Sequence, residues 1–204
     1  MDSKSHWSHL YRTKSSDKVS WYQPHLQISL ELIQSASTSK EDRIIDVGGG
    51  SSTLVDDLIQ NGFQNITVLD IAGEALMLAQ NRIGTKAQSV NWMEKDVLAA
   101  SLPSQYFDLW HDRAVFHFLT QPEDRRKYAE TVLQAMRKGG HVIIAAFSLD
   151  GPRRCSGLDV VRYSAESMLQ ELGDRFELVG RKSEEHRTST SVRQNFLYCH
   201  FKIR

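Results

Sequence analysis

The sequence predicts an α/β fold with a mostly parallel sheet that ends in an antiparallel hairpin. Short apolar runs alternate with helical stretches along most of the 204 residues, as in chains built from consecutive β/α units. The last two apolar runs break this alternation, because the link at residues 181–194 is polar and lacks a helical apolar pattern. Such a link favours an antiparallel hairpin over a crossover. Five β/α units followed by a hairpin are therefore expected.

Glycine, proline and capping residues mark where the elements begin and end. Gly62 follows the second helix, Pro122 stands at a helical first turn, and Ser164 is a predicted N-cap for a helix that ends at Gly173. The predicted helices are 24–37, 53–61, 74–82, 122–137 and 164–173. The predicted strands are 43–47, 65–70, 90–93, 106–110, 141–147, 176–180 and 195–203.

Composition and charge narrow the class of protein. The chain is 40% apolar and 25% charged, and its 25 Lys and Arg residues balance its 25 Asp and Glu residues. A neutral chain makes a nucleic-acid partner unlikely. The sequence has no apolar run of spanning length, no apolar signal segment at the N-terminus and only two cysteines, so we expect a cytoplasmic protein without membrane contact.

We expect one domain over residues 1–204, with three parts. Residues 40–147 form a ligand-binding core, residues 148–204 contribute a loop, a helix and the terminal hairpin, and residues 1–22 form an aromatic lid segment. The lid prediction depends on four aromatic residues in a polar stretch, which are Trp7, Tyr11, Trp21 and Tyr22. The alternative is that they only pack the first helix onto the sheet.

One acidic residue lies at the end of each of the first three strands. Asp46 precedes the glycine turn at residues 48–50, Asp70 ends the second strand, and Asp96 follows the third. Ligands of open α/β sheets bind at the carboxyl ends of the strands, where glycine lets the backbone approach closely. A carboxylate at Asp70 is suited to ribose hydroxyls and one at Asp96 to an adenine amine. The pattern therefore indicates an adenosine site.

Two adenosine ligands compete for this site. A dinucleotide fingerprint needs a third glycine, where this chain has Thr53, and Asp46 would repel a diphosphate. The cationic sulfonium and ammonium of S-adenosylmethionine tolerate nearby carboxylates. The residues thus favour S-adenosylmethionine, while an oxidoreductase or epimerase with an NAD-type dinucleotide, or a non-catalytic module that binds an adenosyl ligand, remains an alternative.

With these motifs the chain resembles the class I S-adenosylmethionine-dependent methyltransferases. Asp46, Gly48 and Gly50 match the D-x-G-x-G motif of that family, whose next glycine is Ser52 here, and residues 107–111 and 137–141 resemble its fourth strand and the turn before its fifth. The resemblance implies a Rossmann-like, three-layer αβα sandwich with a seven-stranded sheet, and methyl transfer to a small molecule or a protein side chain. No His/Cys cluster with metal-ligand spacing appears in the sequence, so no metal is expected. The cofactor-binding residues that the resemblance implies are Asp46, Gly48, Gly49, Gly50, Asp70, Ile71, Asp96, Val97, His111 and Tyr22.

The segment after the fourth strand is expected to face the methyl group. His111 and Asp112 are the candidate bases or acceptor ligands, and His117 is a weaker candidate. The alternatives are a local ion pair between Asp112 and Arg113 and a packed helical position for His117.

The loop after the fifth strand and the terminal hairpin offer further candidates. An acidic group of the acceptor would suit the loop arginines, which are Arg153, Arg154 and Arg162, although solvated charges are the simpler interpretation. Cys155 is expected to be exposed and Cys199 to lie in the core. His186 and Arg187 are candidates for the rim of the site.

Overall fold

The computed structural model describes residues 3–15, 19–188 and 191–204. The helices are α1 (Ser3–Thr13), α2 (Gln27–Ala36), α3 (Leu54–Gln60), α4 (Gly73–Ile83), α5 (Pro122–Ala135) and α6 (Ala165–Leu172). The strands are β1 (Arg43–Val47), β2 (Asn65–Asp70), β3 (Val90–Glu94), β4 (Phe107–Arg113), β5 (Met136–Phe147), β6 (Arg154–Cys155), β7 (Leu158–Asp159), β8 (Phe176–Arg187) and β9 (Arg193–Ile203).

Seven of these strands form one sheet, with the order β3-β2-β1-β4-β5-β9-β8. The first five strands are parallel, and β9 pairs antiparallel with both β5 and β8. The strand order reverses between β1 and β4, and such a reversal opens a crevice at the carboxyl ends of these strands. The predicted α/β fold with its terminal hairpin is confirmed.

Two apolar layers cover the sheet. On one face, Trp110 and Tyr128 pack with residues of α5 and α6 in a buried cluster. On the other face, Ile33 of α2 and Leu58 of α3 belong to a second buried cluster. Trp110 of β4 lies in the first cluster and its neighbour Leu109 in the second, as expected for a central strand that buries both its faces. The Ser164 side chain caps α6, as the sequence predicts, because it accepts a hydrogen bond from the Ser167 amide.

Four elements differ clearly from the sequence-based prediction. A helix, α1, forms at residues 3–13, where only an aromatic segment was expected. β4 continues to Arg113, so residues 111–113 lie within the strand and not after it. β8 and β9 extend to Arg187 and back to Arg193, through much of the predicted link. β8 is an edge strand, and an edge strand carries polar residues without losing its pairing.

The boundary between α5 and β5 also differs from the prediction. The helix ends at Ala135 and the strand begins at Met136, whereas the sequence predicted a helix to residue 137 and a strand from 141. The glycines at 139 and 140 therefore lie inside β5, where the pairing with β4 is irregular. Within the described residues, no helix is both long and apolar enough to cross a bilayer. The cytoplasmic location stays a prediction.

Candidate functional site

A cavity of about 230 Å³ opens at the carboxyl ends of β1, β2 and β4. It lies at the reversal of strand order, and residues of α1 and of the segment 19–26 also line it. Nine of the ten residues that the sequence nominated for cofactor binding line the cavity: Asp46, Gly48, Gly49, Asp70, Ile71, Asp96, Val97, His111 and Tyr22. Gly50, the tenth, is not among the residues that line the cavity.

The turn after β1 leaves no room for side chains. Gly48 has φ +68°, and a Cβ there would collide with the Val115 side chain. A Cβ on Gly49 would collide with the Asp46 carboxylate, and one on Gly50 would lie 2.7 Å from Asp70 Oδ2. Glycine is therefore required for backbone conformation at residue 48 and for close approach to two carboxylates at 49 and 50.

The Asp70 carboxyl is buried at the end of β2. Its Oδ1 accepts a hydrogen bond of 2.8 Å from the Ala72 amide. Burial raises the pKa of Asp70 to about 7, and the nearby charge of Asp46 acts in the same direction. Asp96, which follows β3, is exposed and accepts from the Leu98 amide at 2.9 Å. The first three strands thus deliver three carboxyl groups to one cavity.

His111 is held at both ring nitrogens. Nδ1 lies 2.7 Å from Asp46 Oδ1, and Nε2 lies 2.9 Å from Ser29 Oγ in α2. Because a carboxylate can only accept, Nδ1 carries the proton in the neutral ring and Nε2 accepts from the serine hydroxyl. Only 1% of His111 is exposed. The imidazole therefore has its hydrogen-bonding capacity filled by the protein.

Asp112 points to the opposite face of the sheet from His111 and does not line the cavity. Its carboxylate accepts from the Tyr128 hydroxyl at 2.6 Å and from the amides of Val115 and Phe116. Burial raises the pKa of Asp112 to about 6. These bonds fix the turn that follows β4. The structure therefore separates the two nominated catalytic side chains.

His117 is also enclosed by protein. It is fully buried beside the Phe147 ring, and its Nδ1 accepts a long hydrogen bond from the Phe147 amide. Burial lowers the pKa of His117 to about 3, so the ring is neutral near pH 7. These contacts agree with the alternative prediction for His117, which was a packed position.

Arg113 is a cavity residue that the sequence did not nominate. The alternative prediction of a local ion pair with Asp112 is wrong, because Arg113 instead pairs with Glu184 of β8 at 3.2 Å. Its Nε donates to the Tyr198 hydroxyl, and its guanidinium lies 4.3 Å from the centre of the Phe196 ring. All these partners come from the terminal hairpin. No pattern near Arg113 in the sequence indicates such distant partners.

Aromatic side chains of the N-terminal segment form another part of the cavity wall. Trp7 packs edge-on against Trp21 and against Phe118, with ring centroids 5.7 and 5.0 Å apart. Tyr11 packs edge-on against Trp21 in the same cluster. Four aromatic residues of this segment line the cavity: Trp7, Tyr11, Trp21 and Tyr22. The segment therefore packs against neighbouring rings and also contributes to the cavity wall. Residues 1, 2 and 16–18 of the predicted lid lie outside the described residues.

Comparison with known proteins places the fold and the motif in one family. Residues 44–140 match the family model described as a methyltransferase domain. The chain is 30% identical over 120 residues to EEF1A lysine methyltransferase 2 of Danio rerio, which covers 56% of this chain and 52% of that protein. It is 24% identical over 144 residues to an eEF1A lysine and N-terminal methyltransferase homolog of Drosophila melanogaster, over 68% of this chain and 21% of that protein.

Solved methyltransferase structures share the whole architecture. The N-methyltransferase NodS from Bradyrhizobium japonicum, in complex with S-adenosyl-l-homocysteine, superposes with a TM-score of 0.74 and 17% identity, over 99% of each chain. An S-adenosylmethionine-dependent methyltransferase from Anabaena variabilis gives 0.76 and 14%, over 100% of this chain and 96% of that one. Residues 44–140 thus match a methyltransferase domain, and the fold of the chain is that of solved S-adenosylmethionine-dependent methyltransferases. It spans about half the length of the Danio rerio relative and about a fifth of the Drosophila one.

The residues of the cavity fit the cofactor of the methyltransferases that the chain is similar to. Two glycines whose Cβ atoms would clash let the backbone of the turn face the cavity, and the acidic residues at 46, 70 and 96 line it. These carboxyl groups give the cavity an excess of negative charge, which suits a cationic sulfonium and an ammonium group better than a diphosphate. The NAD-type alternative is not favoured by these comparisons.

The sequence also made predictions about the two cysteines and the three loop arginines. Cys155 is buried, with 5% exposure, and lines the cavity, whereas an exposed thiol was expected. Arg154 and Arg162 donate to carbonyls of their own loop, Arg153 is exposed, and none of the three lines the cavity. Cys199 lies in the core, as predicted.

The terminal hairpin reaches the N-terminal segment through His186. Its Nε2 donates to the Ser20 carbonyl at 2.7 Å, and its Nδ1 accepts from the Gln23 amide at 3.0 Å. Arg187 is exposed and pairs with Glu185. His186 therefore supports the cavity wall from behind, while Arg187 remains on the surface.

Proposed function

We propose that this protein binds S-adenosylmethionine between the carboxyl ends of β1, β2 and β4, and catalyses methyl transfer to a nucleophile that enters past the N-terminal aromatic segment. The observation that carries the proposal is the convergence of the glycine turn with Asp46, Asp70 and Asp96 in one cavity. The bound cofactor supplies a methyl group that its sulfonium already activates. The protein then has to orient the acceptor and exclude water.

Each wall has a role in this proposal. The Asp70 carboxylate accepts from ribose hydroxyls, and Asp96 and Val97 hold the adenine. The glycine turn and Asp46 hold the methionine end. We assign His111 a positioning role, because its ring nitrogens are bonded to Asp46 and Ser29. Asp112 fixes the turn after β4 through its own hydrogen bonds and is a structural residue in this scheme.

The N-terminal segment is the lid in this proposal. Its aromatic rings cover the cavity with apolar surface and leave little room for solvent beside the cofactor. An apolar, water-poor site strengthens the electrostatic contacts within it and limits side reactions. We therefore expect the acceptor to reach the methyl group along this aromatic wall.

The acceptor is a small molecule or a protein side chain. Curated relatives are named as lysine methyltransferases of eEF1A, which supports an amine on a protein as the first acceptor to test. A lysine has a long aliphatic stem that suits an aromatic wall. A small amine or thiol would use the same wall.

Binding and transfer are tested separately. Calorimetric titration of the purified protein with S-adenosylhomocysteine should give micromolar affinity, and NAD should give no heat. Absence of S-adenosylhomocysteine binding would refute the proposed function. Labelled methyl donor is then offered with purified eEF1A, with eEF1A whose lysines are chemically blocked, and with a panel of small amines and thiols. Label on unblocked eEF1A alone indicates a protein lysine, and label on a small molecule indicates the other class.

A further inference from the structure

The aromatic rings that line the cavity stand at steep angles to one another. The plane of Trp7 is inclined by 80° to that of Trp21 and by 73° to that of Phe118. The plane of Tyr11 is inclined by 77° to that of Trp21. Rings that cross at such angles present their π faces in more than one direction. We call this set of four cavity residues, Trp7, Tyr11, Trp21 and Phe118, the aromatic box.

The rings of the aromatic box are not enclosed by the protein. Trp7, Trp21 and Phe118 are half-buried, whereas the core rings of Trp110 and Phe116 are fully buried. Part of the uncovered surface faces the cavity, because all three half-buried side chains line it. The box therefore has aromatic surface that is available to a ligand.

The charge around the cavity favours a positively charged ligand. Among the described residues that line it, four are aspartates and two are lysine or arginine: Asp46, Asp70, Asp96, Asp124, Lys95 and Arg113. Glu184 pairs with Arg113 at 3.2 Å and offsets its charge. A cation over an aromatic face is attracted by the ring quadrupole, more strongly where water is excluded. Charge and aromatic surface thus favour the same kind of ligand.

We propose that the aromatic box binds the ammonium head of the methyl acceptor, which is an aliphatic amine held by cation–π contact and not by hydrogen bonds to its nitrogen. The inference rests on the proposed function and narrows the acceptor to one chemical class. Each methylation of an ammonium removes an N–H donor but leaves the positive charge. The box should therefore bind the more methylated ammonium ions at least as well as the primary one.

The same contact assists the transfer step. The bound ammonium first loses a proton to solvent, which the apolar walls and the nearby positive sulfonium favour. The nitrogen lone pair then forms the new C–N bond, while the C–S bond breaks and its electron pair stays on sulfur. Positive charge moves from sulfur to nitrogen in this step. Aromatic faces around the nitrogen stabilise the charge that develops there, so they lower the barrier relative to the neutral amine.

The test is a series of ligands on protein saturated with S-adenosylhomocysteine, so that the cofactor site is filled. The probes at pH 7 are ethanolamine, its N-methyl and N,N-dimethyl derivatives, choline, and 3,3-dimethyl-1-butanol, which has the shape of choline without the charge. Quenching of tryptophan fluorescence gives the dissociation constants. Choline should bind about threefold to thirtyfold more tightly than the neutral analogue, and affinity should not fall from ethanolamine to choline.

Variants of the box locate the contact. Trp21→Leu keeps an apolar side chain but removes a π face, so the preference for choline over its neutral analogue should be largely lost. Trp21→Phe restores a ring and should recover part of that preference. Trp92→Leu is the matched control, because Trp92 is half-buried on β3 and is not among the residues that line the cavity. It should keep the preference within about twofold.

The affinity for S-adenosylhomocysteine is measured in every variant, and Phe118→Leu replaces the changes at Trp21 if they prevent folding. If choline binds the wild type no better than 3,3-dimethyl-1-butanol, or if affinity falls with each added methyl group, the inference is wrong and the proposed function stands. Choline that displaces S-adenosylhomocysteine also overturns the inference, because the rings then serve the cofactor. If the wild type does not bind S-adenosylhomocysteine, the proposed function fails, and the inference fails with it.

Discussion

At the scale of single residues, Asp70 ties cofactor affinity to pH. Its pKa of about 7 means that the carboxyl is mostly protonated at pH 6 and mostly ionised at pH 8. An ionised carboxylate accepts hydrogen bonds from hydroxyl groups more strongly than the neutral acid does. Affinity for S-adenosylhomocysteine should therefore rise up to roughly tenfold between pH 6 and pH 8, and calorimetry at several pH values measures this.

The variant Asp70→Asn separates the effect of ionising the Asp70 carboxyl from the effect of ionising the ligand itself. At pH 8 the variant should bind more weakly by about 1.5–3 kcal/mol, because an accepting charge is lost. Its affinity should also lack the rise that the wild type shows. Asp174→Asn, at an exposed position before β8, should behave as the wild type. Parallel pH profiles for the wild type and Asp70→Asn would contradict the role of this carboxyl.

Gly48 should be much less tolerant of a methyl group than another glycine of similar conformation. Gly48→Ala combines a positive φ with a collision against Val115, whereas Gly62→Ala has φ +83° and nothing within 4 Å. We expect Gly62→Ala to cost about 1–2 kcal/mol and Gly48→Ala a further ~1–3 kcal/mol. Chemical denaturation gives both values, and equal losses would show that the turn relaxes freely.

The residues of the site differ in how well the sequence identified them. The glycine turn and the three acidic residues have a fixed spacing relative to their strands. The sequence therefore places Gly48, Gly49 and the acidic residues at the cavity, and their binding of the cofactor stays a prediction. Arg113 and Ser29 were missed because their partners lie 71 and 82 positions away in the chain. No local pattern encodes such a contact. Asp112 was nominated for its position, but the alternation of β4 turns it away.

At the scale of elements, α1 is anchored over the cavity through one carboxylate of α4. Glu74 accepts from Ser8 Oγ at 2.6 Å and from Arg12 Nη1 at 3.1 Å. The hydrogen bond from Ser8 holds the pKa of Glu74 below its usual value. Since Tyr11 and Trp7 of α1 line the cavity, this anchor also holds part of the cavity wall.

Loss of that anchor should speed the escape of ligand. Glu74→Ala should raise the dissociation rate of S-adenosylhomocysteine about threefold to tenfold, because two hydrogen bonds that hold α1 are lost. Stopped-flow fluorescence of the native tryptophans reports the rate. Glu123→Ala, which removes an exposed ion pair with Arg126 on α5, is the control and should leave it unchanged. Identical rates in the two variants would show that α1 does not retain the ligand.

Most element types were predictable, whereas several ends were not. The central strands and the amphipathic helices are predictable from the periodicity of apolar residues and from the glycines that follow them. The extended ends of β8 and β9 lack an apolar signal, because their side chains bond across to the N-terminal segment or face solvent. For α1 the sequence shows only aromatic residues in a polar stretch, and the helix makes its polar contacts with Glu74 of α4. Tertiary contacts therefore set these ends.

At the scale of the whole molecule, ligand binding should appear as thermal stability. A ligand that binds only the folded state adds about 2.7 kcal/mol at a hundredfold excess over its Kd. For a chain of 204 residues this corresponds to a rise in Tm of about 5–10 °C. Differential scanning fluorimetry should show that rise with S-adenosylhomocysteine and none with NAD. Equal shifts with the two compounds would contradict the cofactor assignment.

The bonds between the terminal hairpin and residues 20–23 have a consequence for folding. They join positions 161 to 166 residues apart, so they are among the most non-local contacts in the molecule. Contacts of this kind form late, because a long loop must close before they contribute. During synthesis, β1, β2 and β4 emerge well before β8 and β9. The strands that present the acidic residues can thus assemble first, and the site becomes closed only when the last strands of the chain have folded.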